Sequence, residues 1–445
     1  MTSLRTRAGQ LLWLEPFWLA LLGPFVIFPG RWAPLSSHPF VLLALFLVPA
    51  VRLAVGPARL KPHSPLTIPI VLILAWLPVN IWAAPDRQMA WSAAGYLLYG
   101  IALYGALARW PPARRQPVWI AGFLLAAGGA LALIAPLFVT WKSEFRLFHL
   151  AIYDWLEAIH VELGETIHAN ILAAVLILLA PLLLALLLHP QPLGATGPWR
   201  RFSATQASRL ALGLRLLLGL AFLYVSGLLV LTQSRGGLLA TAVTLPLTLL
   251  LRWPRFWRLA LVAVGLAALA IWWFSPATVA EELSKDGSLG GWEGRMDVWN
   301  ASLTALRDFV FTGIGIGAFT TTLPTLYPIP FSVTGFPHAH NLLLQVGLDL
   351  GLPGLIAFVA MQINLFVMVI GLLRQPQRPS LAHTLAIGAT AALVGLHIHG
   401  IVDAAAWGVK LAFFPWVLFA LIAALYVRIA EITLPAGPGG RTPDD

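Results

Sequence analysis

A succession of apolar runs limits what this chain can become. They fall at roughly 11–29, 39–55, 66–84, 90–108, 118–140, 167–188, 211–232, 236–251, 257–275, 341–373, 383–402 and 409–427, and nearly all are long enough to cross a bilayer as a helix. The expected fold is an all-α polytopic membrane protein with about twelve transmembrane helices. Composition agrees. Of 445 residues, 59% are hydrophobic and only 10% are charged, and the mean hydropathy is +0.82. Soluble proteins carry about a quarter charged residues. The run from 341 exceeds what a bilayer needs, so it is expected to tilt or to begin outside the hydrocarbon. No A-x-A site follows the first run, which is therefore expected to be a span and not a cleaved signal peptide. The chain has no cysteine, which excludes disulfides, thiolate catalysis and Cys-ligated metals.

The net charge of +10 reads as a topology signal. With the N-terminus inside, most of the 28 Lys and Arg lie in inner connections, among them Arg52, Arg59, Lys61, Arg109, Arg114, Arg115, Arg200, Arg201, Arg252, Arg255 and Arg258. Both termini are then cytoplasmic, and a nucleic-acid partner is not expected. Two outer segments are long. Residues 141–166 hold Ile152, Leu156 and Ile159 at helical spacing, so a short interfacial helix is expected there. Residues 276–340 form a larger, partly helical extracytoplasmic loop, with Met296, Trp299, Leu303 and Leu306 as the apolar face of one helix. The resulting organisation is 1–275 with nine spans, 276–340 as the loop, 341–430 with three spans, and 431–445 as a Pro/Gly-rich tail expected to be disordered and cytoplasmic. Glu15 is expected to be an interfacial carboxylate on the inner side.

Polar residues at the outer ends of spans are the candidates for chemistry, since ionisable groups in such places are costly. Ser234-Arg235-Gly236-Gly237 joins two spans. A polar hairpin would account for it. As a site, Arg235 offers a planar fork for phosphate oxygens, Gly236 permits close approach, and a helix start there favours an anion. Arg295 opens the amphipathic helix and is either a solvated arginine or a second phosphate ligand. His338, His340 and Asn341 precede the long run; an imidazole takes up a proton near neutral pH, as a general base must. A metal is not expected at His338-x-His340, because no third ligand has an evident spacing. His399 and Asp403, at i and i+4, form either an interfacial pair or part of a polar cavity. Gly313-Ile314-Gly315-Ile316-Gly317 lacks the strand and acidic residue of a dinucleotide loop and reads as chain turns.

In this order, these pieces resemble the O-antigen ligase/polymerase superfamily of bacterial membrane glycosyltransferases. Ser234-Arg235-Gly236-Gly237 comes first, then Arg295 with Trp299, then Gly313-Ile314-Gly315 and the large loop. His340-Asn341 follows, with nine residues before Gly351 and two more before Gly354. The resemblance is most specific over 225–360. One departure is Asp349, where many relatives carry Glu. The resemblance implies a GT-C-like fold in the bacterial inner (plasma) membrane, with the site on the periplasmic or outer face. It implies transfer of a glycan from undecaprenyl diphosphate to an acceptor hydroxyl, on lipid A-core or similar, inverting and without metal or other cofactor. A polymerase joining lipid-linked repeats is the alternative within the family. By position His340 looks like the catalytic residue and Arg235 and Arg295 like the diphosphate ligands, with Ser234, Gly236, Trp299, His338, Asn341, His399 and Asp403 in support. A lipid-linked sugar transporter or flippase is the rival from another class. Against it, the chain shows no repeat between halves, and its ionisable residues gather at the outer face and not at mid-membrane. A non-catalytic scaffold gives no reason for arginines beside the H-x-H-N.

Overall fold

The computed structural model describes residues 2–32, 34, 37–55, 64–141, 152–161, 167–189, 204–258, 269, 291–327, 337–375 and 380–433. Nearly all of the expected span at 257–275, the start of the large loop and the tail from 434 lie outside them. The described helices are α1 (Thr2–Ile27), α2 (His38–Leu45), α3 (Leu47–Val55), α4 (Thr67–Ala83), α5 (Arg87–Arg109), α6 (Pro111–Arg115), α7 (Val118–Phe138), α8 (Ile152–Ala158), α9 (Ala169–Leu187), α10 (Ala204–Leu231), α11 (Arg235–Arg252), α12 (Gly291–Asp308), α13 (Phe319–Leu326), α14 (Leu342–Leu373), α15 (Leu381–Val402) and α16 (Phe413–Thr433). Two short strands, β1 (Val139–Thr140) and β2 (Ile167–His168), pair in parallel just ahead of α9.

This is a multi-pass helical membrane protein. Among the described residues, six helices are long and apolar enough to cross a bilayer: α5, α7, α9, α10, α14 and α15; α4 and parts of α1 and α16 are shorter apolar helices. The expected span at 39–55 is instead two helices, α2 and α3, separated at Phe46. Pro49 has no N–H to offer the carbonyl of Leu45, so the helix cannot run straight through. On α10, Leu216, Leu217, Leu220 and Leu223 are 60–66% exposed, a leucine stripe that water would reject and lipid accepts.

The core is built around α9, which is buried along most of its length and packs on α10, α11 and α15. On the other side α14 packs on α4, α15 and α16, and α16 on α5. Glu15, expected as an interfacial carboxylate, is buried in the protein and lies 3.2 Å from Arg109 Nη2, so α1 is clamped to α5 by a paired charge.

The long run from 341 is neither straight nor merely tilted. It breaks at Gly351, whose φ of 65° and ψ of −177° interrupt the helix. Pro353 then has no N–H to donate back. The freed groups are taken up by the segment between α12 and α13. Ile314 N–H donates to Leu348 O at 2.8 Å, and Leu352 N–H donates to Val310 O at 2.7 Å. From α4, Trp76 Nε1 donates to Leu350 O at 3.0 Å and Asn80 Nδ2 to Thr312 O at 2.9 Å. The two backbones lie so close that a Cβ at Gly313 would overlap Leu348 O, and one at Gly351 would overlap Phe311 O. Both glycines also have positive φ, so the Gly313–Gly317 run does serve chain turns.

α12 covers the first half of α14, but with a different face from the one expected. Gly294, Val298, Ser302 and Ala305 are buried, whereas Met296 and Leu303 face outward. Val298 and Ala305 join Ile314, Phe319, Leu323, Ala339 and Leu348 in a small core of their own, with Trp299 and Leu306 at its edge. A short helix does lie in 141–166: it is α8, with Leu156 buried.

Gly351→Ala is expected to destabilise the protein by about 2–4 kcal/mol, combining strain at positive φ with a backbone overlap. Gly129→Ala in α7 is the control, because its Cβ would meet nothing within 4 Å; it should stay within about 0.5 kcal/mol of wild type. Unfolding midpoints in detergent distinguish the two.

Candidate active site

Three helices begin at one end of the bundle, each with a side chain capping its first turn. His168 Nδ1 accepts from Asn170 N at the start of α9 (3.3 Å), Ser234 Oγ from Gly237 N at α11 (3.3 Å), and Asn341 Oδ1 from Leu344 N at α14 (3.0 Å). The end of α15 meets them. Asn341 Nδ2 donates to Ile401 O at 3.0 Å, and Asn170 Nδ2 to Asp403 Oδ2 at 2.8 Å. Helix starts carry partial positive charge, so this end is predisposed to hold anions.

Asp403 is the hub. It is 3% exposed and leaves the helical conformation, with φ −153° and ψ 156°. It caps the end of the helix that carries His399, and the two remain close enough to interact by charge. Besides Asn170, its carboxylate accepts from Ala405 N at 2.8 Å. It lies 3.6 Å from His338 Nε2 and 3.8 Å from His340 Nδ1. These distances suit charge–dipole contact and exceed a good hydrogen bond. Burial alone would raise the Asp403 pKa. The surrounding imidazoles of His338, His340 and His399 outweigh it and hold the carboxyl well below the usual range.

The histidine loop is fixed from several sides. Ala339 N–H donates to Gln345 Oε1 at 2.8 Å, and Ala339 O accepts from Trp299 Nε1 at 3.0 Å. Gln345 Nε2 in turn donates to Asp349 Oδ1 at 3.1 Å. His340 N–H donates to His338 Nδ1 at 3.2 Å, so the single proton of a neutral His338 sits on Nε2, towards Asp403. Burial pushes the His338 pKa down to about 3, against the pull of Asp403. His340 itself has φ 48°, in the left-handed region that few non-glycine residues occupy. Gln233 has φ 50° in the corresponding place, one residue before the cap of α11. Such backbone conformations gather at functional sites.

The structure thus brings together His338, His340, Asn341, Trp299, His399 and Asp403. Gly236 brings in the start of α11: a Cβ there would come within 2.7 Å of Val402 Cγ2 and 3.3 Å of His399 Cδ2, so only glycine lets Ser234 and Arg235 approach so closely. Arg235 is half-buried at the first position of that helix. Arg295, also half-buried, lies on α12 one turn before Trp299 and hence on the flank that reaches the loop; no hydrogen bond or ion pair joins it to a described residue. Sequence reasoning missed Asn170 and Gln345. Asn170 carried a usable signal, an amide in the first turn of an otherwise apolar span. The argument against a metal also changes. Asp403 supplies the third donor that spacing did not reveal, and His338, His340 and Asp403 offer ligand atoms within 4.8 Å of one another, a set able to hold a divalent cation.

Residues 220–359 match the family model described as O-Antigen ligase. The resemblance read from the motifs is borne out over that stretch, which runs from α10 into the second half of α14 and contains Arg235, Arg295, Trp299, His338, His340 and Asn341. Asn170, His399 and Asp403 lie outside it. No curated protein matches the chain.

The ionisation states predict an acid-labile fold. His338 titrates at about 3 when folded against 6.5 as a free side chain, and Asp403 is likewise depressed. In both cases the unfolded chain binds more protons. Stability is therefore complete above about pH 6.5 and falls on acidification through the folded pKa values, by up to about 1.4 kcal/mol per pH unit for each proton. Unfolding midpoints measured from about pH 8 to about pH 4 should follow this slope, and His338→Gln should flatten its upper part.

Proposed function

We propose that this protein is an O-antigen ligase-like glycosyltransferase. It moves a glycan from undecaprenyl diphosphate to an acceptor hydroxyl, on lipid A-core or a similar acceptor, at the outer face of the bacterial inner membrane. The observation that carries this reading is one juxtaposition: the end of α15 meets both His340, beside the buried Asp403, and the start of α11, where Gly236 next to Arg235 packs on His399 and Val402. The match of residues 220–359 to the O-antigen ligase family supports it. Within the same proposal the fold is GT-C-like with twelve spans, and both termini are cytoplasmic.

The chemistry follows from the side chains. Asp403 beside His340 Nδ1 favours the tautomer with its proton there, which leaves Nε2 as the base. His340 Nε2 takes the proton of the acceptor hydroxyl as its oxygen bonds to the anomeric carbon. The bond from that carbon to the phosphate oxygen breaks, and the undecaprenyl diphosphate leaves with the electron pair. Attack opposite the leaving group inverts the anomeric centre. Charge grows on the diphosphate, where Arg235, Arg295 and the first N–H groups of α11 would bear it. Two guanidinium forks in this role make a metal unnecessary.

His340→Ala and Arg235→Ala are each expected to lower transfer by about 10²-fold or more, measured with purified protein and a lipid-linked donor. Arg235→Lys should not restore it, because a point charge lacks the planar fork. EDTA treatment should leave the rate within about twofold. Full transfer by either alanine variant would overturn the assignment. Supplying lipid A-core or a second lipid-linked repeat as acceptor separates ligase from polymerase.

A further inference from the structure

A cavity lies against His338. It encloses about 240 Å³ and is lined by Gln88, Ser92 and Tyr96 of α5, by Gln345 and Asp349 of α14, and by Trp407. His338 is part of its wall, whereas His340, Asp403 and Arg235 are not among its described lining residues. The cavity therefore lies beside the histidine loop, and Arg235 is not among its described lining residues.

Its chemistry differs from that of the diphosphate side. No Lys or Arg is among the described lining residues. Asp349, 1% exposed, is held by three neutral donors: Trp407 Nε1 at 2.9 Å, Gln345 Nε2 at 3.1 Å and Gly317 N at 3.2 Å. An ionised carboxylate has about four acceptor positions, so one remains for a hydroxyl. Gln88 and Ser92 add amide and hydroxyl groups, and Tyr96 and Trp407 add aromatic surface. Pockets for drug-sized ligands run from about 300 to 1,000 Å³. This one is smaller and suits a single ring. A wall with one carboxylate and no cation accepts hydroxyls and rejects phosphates and carboxylates.

We infer that this cavity binds one uncharged or amino sugar ring of the acceptor, holding it on the face of the anomeric carbon opposite the diphosphate. The inference rests on the transfer reaction proposed above and specifies the acceptor's chemical class. It also gives Asp349 and Gln345 two tasks, bracing the histidine loop and reading the sugar.

The test uses the full-length protein in lipid nanodiscs. Saturation-transfer NMR with methyl glucoside, methyl galactoside and methyl glucosaminide is compared with methyl glucuronide and glucose 6-phosphate. At least one uncharged or amino glycoside should receive saturation, and the two anions should not. Ser92→Phe fills the cavity from a residue whose hydroxyl bonds only within α5; it should remove the signal. Gln88→Leu, a smaller change, should weaken it. With a lipid-linked donor, Ser92→Phe should raise the acceptor KM by about tenfold or more and leave the donor KM within about twofold. Binding of undecaprenyl diphosphate to Ser92→Phe should be unchanged. The inference is overturned if no uncharged or amino glycoside binds, if the anions bind equally well, or if both variants leave the signal intact. If wild type fails to bind undecaprenyl diphosphate, the transferase reading falls instead, and the two failures remain distinct.

Discussion

The candidate site of this protein depends on a helix that does not finish. At Gly351 the backbone of α14 gives up its own hydrogen bonds, and two of them are remade with residues 310 and 314. Buried peptide groups cannot be left unpaired in lipid or protein, so the break can exist only where another segment supplies partners. That segment is the loop between α12 and α13, assisted by Trp76 and Asn80 of α4. The exchange locks the α12–α13 segment to the spanning bundle through main-chain bonds and not through side-chain packing alone. It also fixes the first half of α14 as a short separate helix. His340 stands just ahead of its cap, and Asp349 lies in its last turn.

From this short helix the rest of the site can be traced bond by bond. Asp349 holds Gln345, Gln345 holds the amide of Ala339, and Trp299 holds the carbonyl of the same residue. The two histidines on either side of Ala339 then have little freedom. Asp403 receives them from the far side, and Asn170 ties Asp403 to α9, the most enclosed helix of the bundle. The charged centre is thus anchored to a deeply buried helix, although every residue in it belongs to a helix end or a loop. Catalytic geometry needs such support, because a small misplacement of a base or an oxyanion ligand costs orders of magnitude in rate.

Much of this was legible in the sequence, and the exceptions have physical causes. Apolar runs showed a helical membrane protein, because lipid leaves few other solutions. Arg235, His340 and Asn341 stood out as polar groups at helix starts. The break at Gly351 did not, since its partners at 310 and 314 lie some forty residues away and bond through backbone that carries no side-chain signal. The face of α12 was misjudged by hydrophobicity. The helix docks through Gly294, Val298, Ser302 and Ala305, small residues that allow close packing and score poorly as an apolar stripe. Asp403 was read with His399 on the assumption of a continuous helix. The helix stops one residue earlier, and the carboxylate bonds to Asn170 and Ala405 as well as feeling the charge of His399. The split of 39–55 followed from Pro49, which a hydropathy average overlooks.

Gln233 and His340 share a position as well as a conformation. Each is left-handed, and each sits one residue ahead of a capping side chain and a helix. The chain thus passes from loop to helix with no spacer to absorb an error. An α-helix advances by about 100° per residue, so one inserted or deleted residue after either point would swing the whole downstream helix face around its axis relative to the loop. The two segments that carry the proposed chemistry are therefore rigid in length. Insertions or deletions there would be expected to disrupt the site, whereas side-chain substitutions leave the register of both helices intact.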